Sequence, residues 1–281
     1  MIDLLGLKLE HPVIVSAGPM GESKDSIQLM FQHGAAAVVT KTIAGIESKH
    51  NNIYSDGDML FNKDGYSRKS TEEWYAYLKQ NKESNVIPNI YGDTGERIID
   101  IGTNVVSAGG KLLEICLSCG TRDQQPICFQ VDYLQELCKK VRKAIDIPIV
   151  IKLMISNSSE LNISMVKAIY ESGIDGVSLS DSLPGIVLDK NSKKMFGGSG
   201  GVSGKFMKPL VLKALYDIRN IPITKIAYGG VYGGKDIDDY INYGATAVGV
   251  CSAILQNGNS KLTQIRDSYL EIQRGRNNVK I

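Results

Sequence analysis

Cys119 is the residue with the most chemical promise. It lies at a small polar tip after the apolar run Leu112–Ser118 (LLEICLS). A thiolate there can take a proton from carbon, and the thiol can return one. A free cysteine is more often a small buried hydrophobe, so residue type alone decides nothing and position must. Two lysines suggest a second chemistry: Lys41 ends Val38-Val39-Thr40-Lys41, and Lys152 sits inside Ile149–Leu153, both runs of strand character. An ammonium in such a run needs an anionic or electron-rich partner to offset desolvation, either a charged ligand or a neighbouring carboxylate. Asn62, within Met59–Gly65, and Asp181-Ser182, at the end of another apolar run, offer polar groups that either meet a ligand or shape turns.

Two short stretches could grip an anion. Tyr228-Gly229-Gly230-Val231 and Val250-Cys251-Ser252-Ala253 close the last two apolar runs, where small residues bare backbone N–H groups. Gly201-Val202-Ser203-Gly204 could supply further donors. No metal site is expected: Cys116-x-x-Cys119 lacks a second such pair or a nearby His, and no iron–sulfur spacing occurs. The five cysteines are odd in number and irregularly spaced, which argues against a disulfide framework. His11, His33 and His50 have no acidic partner at a telling spacing, so no catalytic histidine is assigned.

The elements that must position these groups alternate strictly. Runs rich in Val, Ile and Ala recur at Val13–Ala17, Ala36–Ile43, Val86–Tyr91, Leu112–Ser118, Pro148–Met154, Gly176–Asp181, Ile223–Tyr228 and Ala247–Ile254. Helix-compatible segments fall near 23–33, 71–81, 94–109, 130–145, 159–172, 206–219, 234–243 and 260–275, with Ser23, Thr71, Thr94 and Ser159 as candidate caps. Continuous apolar strands alternating with helices predict an α/β fold with parallel strands, and eight units close into a (β/α)8 barrel; a doubly wound open sheet is the runner-up. The glycines of His33-Gly34-Ala35, Gly173 and Tyr243-Gly244-Ala245 are expected to end helices in the left-handed conformation. Barrel enzymes put chemistry on the loops after the strands. Two of those loops are long, Ala44–Ser70 after the second strand and Leu183–Lys205 after the sixth, and both are expected to cover the mouth.

Composition sets the bounds. The chain has 281 residues, 43% hydrophobic and 22% charged, which suits one barrel domain spanning 1–281. Lys and Arg number 32 against 30 Asp and Glu, a net charge of +2 that gives no general attraction to nucleic acid or to an anionic membrane. No run approaches the ~20 apolar residues of a membrane span, and the N-terminus lacks a signal pattern, so a cytoplasmic protein is expected.

Several of these pieces occur in family order: Ala17-Gly18, Val39-Thr40-Lys41-Thr42, Leu117-Ser118-Cys119, Val150-Ile151-Lys152-Leu153, Gly200–Gly204 with Lys208-Pro209, Gly229-Gly230-Val231 and Val250-Cys251-Ser252-Ala253. Together they resemble the dihydroorotate dehydrogenase family of flavin mononucleotide (FMN) barrels, from about Leu7 to Ile254. The resemblance implies one FMN held at Ala17, Gly18, Lys41, Thr42 and Lys152, with phosphate contacts at Gly201, Gly229, Gly230, Cys251 and Ser252. It implies Cys119 as catalytic acid/base during hydride transfer at flavin N5, and a small-molecule substrate met by Lys41, Asn62, Cys116, Thr121, Asp181 and Ser182. Its partners would be an electron-transfer subunit or a soluble acceptor, with a homodimer also open.

The chain departs from that family on the substrate side. Relatives acting on orotate carry Asn-x-Ser-Cys-Pro-Asn where this chain has Cys116, Gly120 and Thr121, and another Asn where it has Asp181. Asn donates and accepts, whereas ionised Asp only accepts, so the substrate edge must differ. Cys251 also replaces a glycine of the phosphate loop. The expected function is therefore FMN-dependent interconversion of CH–CH and C=C beside a carbonyl, on a substrate other than or modified from orotate. Authentic dihydroorotate oxidation in pyrimidine synthesis is the near alternative. From other classes, a non-catalytic flavin- or phosphate-binding barrel and a phosphosugar- or thiamin-type barrel stand beside it.

Overall fold

The computed structural model describes residues 1–46, 51–55, 57, 59–118, 126–188 and 195–278. Nine parallel segments form its main sheet: Val13–Val15, Val38–Val39, Val86–Ile87, Asn89–Ile90, Leu113–Cys116, Ile149–Leu153, Gly176–Leu179, Thr224–Tyr228 and Ala247–Val250. Val86–Ile87 and Asn89–Ile90 lie at opposite ends of the sheet order, yet only Pro88 separates them in the chain. They are halves of one strand, broken where proline has no N–H to give. One half pairs with Val38–Val39, the other with Glu114 and Ile115, and Ile43 bridges Ile90. The eight strands thus close into the expected (β/α)8 barrel.

These strands are buried on both faces, which is why they read as unbroken apolar runs rather than alternating ones. Inward side chains such as Ile14, Val39, Ile87, Val150, Ile226 and Ala247 make one cluster; outward ones such as Val15, Val38, Ile115, Ile151 and Val248 pack against the helices in a second. An antiparallel hairpin, Ile2–Leu4 with Leu7–Leu9, stoppers the N-terminal end by adding Leu4, Leu7 and Leu9 to the inner cluster.

The helices between strands are Lys24–Gln32, Thr71–Gln80, Gly95–Ser107, Val131–Ala144, Ser159–Glu171, Met207–Asp217 and Gly234–Asn242, followed by Ser252–Asn257 and Ser260–Asn278. Ser23 and Thr94 cap theirs as expected, while Ser70 and Ser158, not Thr71 and Ser159, cap the second and fifth. In each corrected case the extended residue one step earlier turns its hydroxyl onto the third helical N–H. Gly34, Gly173 and Gly244 all adopt positive φ after their helices. The expected eighth strand is shorter, because the chain turns at Cys251 into the helix Ser252–Asn257. No described helix is long and apolar enough to cross a membrane.

The two long connections differ from the expected loops. They contain Asn51–Ser55 and Met59–Asp64 after the second strand, and Leu183–Leu188 and Met195–Gly204 after the sixth. The two hairpins join edge to edge, Asn62 opposite Gly201 and Leu60 opposite Ser203, as one four-stranded antiparallel sheet.

Candidate active site

A cleft of about 990 Å³, solvent at its mouth included, opens at the C-terminal ends of the strands. Its wall takes Ala17 and Gly18 from behind the first strand, Lys41 and Thr42 from the second, Cys116 from the fourth, Lys152 from the fifth, Asp181 and Ser182 from the sixth, Gly229 from the seventh, and Cys251 and Ser252 from the eighth. Ile53, Leu60, Asn62, Asp64 and Ser203 enter from the antiparallel sheet. Twelve of the sixteen residues expected at the site thus meet in one cleft. Gly201 sits just behind it, its carbonyl accepting from Asn62 Nδ2 at 3.3 Å, and Gly230 packs on the backbone of Lys208. Cys119 and Thr121 lie outside the described residues.

Both lysines are buried, and each has found a carboxylate. Lys41 Nζ is ion-paired with Asp64, and Lys152 Nζ lies 3.1 Å from Asp181 Oδ1. Of the two partners foreseen for a strand lysine, the neighbouring carboxylate is therefore present. Asp181 also accepts from Ser118 Oγ at 2.5 Å and from the Ser182 N–H at 2.8 Å, with Cys116 Sγ at 3.9 Å. Burial pushes the Asp181 carboxyl up, but the Lys152 charge and these hydrogen bonds outweigh it and hold the group below its ordinary value. Its charged form is thereby secured.

At the other end of the cleft the donors are neutral. Ser203 Oγ and Ser252 Oγ are 2.8 Å apart, one from the antiparallel sheet and one from the start of the short helix Ser252–Asn257. Cys251 Sγ stands 3.0 Å from where a Cβ on Gly18 would be, so the extra side chain at 251 occupies space that glycine 18 leaves open. Burial pushes the Cys251 thiol up to about 11, against the pull of Lys152 and Lys41. It stays a neutral thiol near pH 7. The set fits FMN: hydroxyls and the Gly229 turn at one end suit a phosphate, and the ammonium of Lys152 suits an electron-rich ring edge.

Beneath the cleft lies a buried polar layer. Glu114 accepts from Asn89 Nδ2 at 2.6 Å, Ser178 Oγ at 2.7 Å and Tyr228 OH at 2.8 Å. Among the described residues Asn89 Oδ1 is the buried side-chain atom left without a hydrogen bond. Tyr228 links this layer to the cleft, which it also lines. Tyr66, another lining residue, stacks on Tyr91 at 4.7 Å between ring centroids.

Sequence reading missed Asp64, Ser118 and Glu114 and had Ser203 only within a stretch of further donors. Glu114 had a signal, a carboxylate inside an apolar strand. Asp64 had none, since Lys41 lies 23 residues earlier, at no spacing that marks a pair.

The family model described as "Dihydroorotate dehydrogenase" matches residues 1–272. The protein named "Dihydroorotate dehydrogenase B (NAD(+)), catalytic subunit" from Methanocaldococcus jannaschii is 25% identical over 98% of this chain and 94% of its own length. Its namesake from Alkaliphilus metalliredigens is 27% identical over 96% and 93%. A crystal structure of DHODH in complex with ferulenol from Eimeria tenella superposes with a TM-score of 0.79 at 18% identity, covering 98% of this chain and 85% of that one, a likeness of fold.

Proposed function

This chain belongs to the dihydroorotate dehydrogenase family, whose members are flavin-dependent oxidoreductases of CH–CH bonds, and we propose that it uses FMN to interconvert CH–CH and C=C beside a carbonyl of a small cyclic molecule. The observation that supports this best is the meeting of Lys41, Lys152, Gly229, Cys251 and Ser252 around one cleft, from the ends of four different strands. Ala17, Gly18, Lys41, Thr42 and Lys152 are the proposed contacts that hold the flavin, and Gly201, Gly229, Gly230, Cys251 and Ser252 those to its phosphate. Bound FMN supplies a two-electron acceptor for hydride. Cys119 is the proposed base that takes the proton from the adjacent carbon, and a thiol of ordinary pKa ~8.5 does so best at mildly alkaline pH.

The names of the relatives favour dihydroorotate itself as the substrate. The groups around the substrate half, with Cys116 and Asp181 in place of the family's asparagines, favour a different ligand edge. Two relatives are named as catalytic subunits, which supports a separate electron-transfer subunit as the partner. Anaerobic mixing of the purified chain with dihydroorotate and related dihydro compounds, followed by flavin absorbance, tests the reading. Bleaching by one of them is the expected result. A colourless protein that releases no flavin on denaturation overturns it.

A further inference from the structure

Leu60, Asn62 and Asp64 are alternate residues of the strand Met59–Asp64, and all three line the cleft. With a period of two, one face of this cover strand is turned inward along its length. It is pinned near both ends. At the C-terminal end Asp64 is ion-paired with Lys41, with 10% and 9% of the two side chains exposed. At the N-terminal end Gln256 Nε2 donates to the Met59 carbonyl at 3.1 Å and to Ser55 Oγ at 2.8 Å. The Met59 carbonyl can only accept, which fixes which end of the Gln256 amide faces the cover. The other end, Oε1, accepts from the hydroxyl of Tyr232, just past the seventh strand.

The two pins differ in kind. Parting Lys41 from Asp64 leaves buried charges uncompensated, which is strongly opposed. Gln256 is half-buried and Ser55 exposed, so water replaces their neutral hydrogen bonds at small net cost. Ser203 Oγ with Ser252 Oγ, a second tie at this end, is neutral as well. The cover strand therefore frees its Gln256 end first and pivots on Lys41 and Asp64. Ser252, a proposed phosphate contact, begins the same helix one turn before Gln256.

We infer that Gln256 is a latch for the cofactor: FMN enters and leaves when the bonds of Gln256 to Ser55 and Met59 open. This rests on the FMN reading above and adds the control of exchange at that site, with Gln256 as a positioning residue that acts through the cover strand.

A latch has a kinetic signature that a supporting contact lacks. When it closes the free and the loaded protein alike, its loss speeds entry and exit by the same factor and leaves the affinity where it was. The full chain is stripped of FMN and recombined with it, and stopped-flow flavin fluorescence gives the association rate. Dilution of the loaded protein gives the dissociation rate. Gln256→Leu is expected to raise both by about tenfold, the scale of one or two neutral hydrogen bonds, with Kd unchanged. Ser55→Ala, which keeps the bond to Met59, is expected to raise both by about threefold, and it decides the matter if the leucine variant does not fold. Unchanged rates overturn the inference. So does a faster dissociation alone, which would make Gln256 a support of the site and no latch. A purified chain without FMN removes the proposed function and this inference together, whereas FMN present with either overturning result removes only this inference.

Discussion

Lys152 Nζ lies 3.1 Å from Asp181 Oδ1, inside a barrel strand on one side and at the end of the next strand on the other. Two elements adjacent in the sheet thus neutralise each other at the cleft floor, and Ser118 fixes the second carboxylate oxygen at 2.5 Å.

That pairing predicts an acid limb of stability. The folded Asp181 carboxyl sits below its ordinary value of 3.8, since the Lys152 charge and hydrogen bonds outweigh burial. A depressed carboxyl stabilises the fold above its unfolded pKa, and the contribution is lost as pH falls through the lower folded value. Thermal melting from pH ~5 to ~3 is expected to fall more steeply in the wild type than in Asp181→Asn. Equal slopes would remove Asp181 from the account.

Cys119→Ala is expected to keep FMN while slowing substrate-driven flavin reduction by about 10² or more, the scale of a lost acid/base group. Rapid-mixing absorbance after anaerobic reduction measures it. A rate near wild type would exclude Cys119 as the base.

Cys251 makes a contrasting case. Its thiol is pushed up to about 11, chiefly by burial, so it carries no thiolate at neutral pH. Cys251→Ser is expected to leave the pH profile of flavin reduction where it was, and alkylation of Cys251 at pH ~8 to be slow beside that of an exposed thiol. A profile shifted by the substitution would show that this sulfur titrates during the reaction.

Glu114 holds three buried donors, and truncating it strands all of them. Glu114→Ala is expected to cost about 3 kcal/mol or more in denaturant unfolding, and Glu114→Gln less, because the amide oxygen still accepts. Loss of under ~1 kcal/mol in the alanine variant would mean that water or rearrangement replaces the carboxylate.

The barrel was legible because parallel strands covered on both faces must be apolar throughout, and eight such runs separated by amphipathic helices leave few topologies. Most of the cleft wall followed from the same rule, being the residues just past each strand end. The cover was not legible. Met195–Gly204 reads MFGGSGGVSG, a composition that signals turns, yet it is a strand. Glycine at 200 is needed there because a Cβ would lie 2.5 Å from the Phe61 ring. Asp64 was hidden for a related reason: it reaches Lys41, 23 residues earlier, from the end of the strand Met59–Asp64, and no local pattern encodes the pairing that puts it there. Pro88 shortened the third strand without ending it, since both flanking halves keep their partners.

The hairpin of Leu4, Leu7 and Leu9 makes the barrel a cup rather than a pipe. With its base sealed by leucine, a small molecule bound at Asp181 and one leaving it both use the cleft at the C-terminal ends of the strands. Occupancy by one then excludes the other, so an unreactive look-alike ring should block entry competitively.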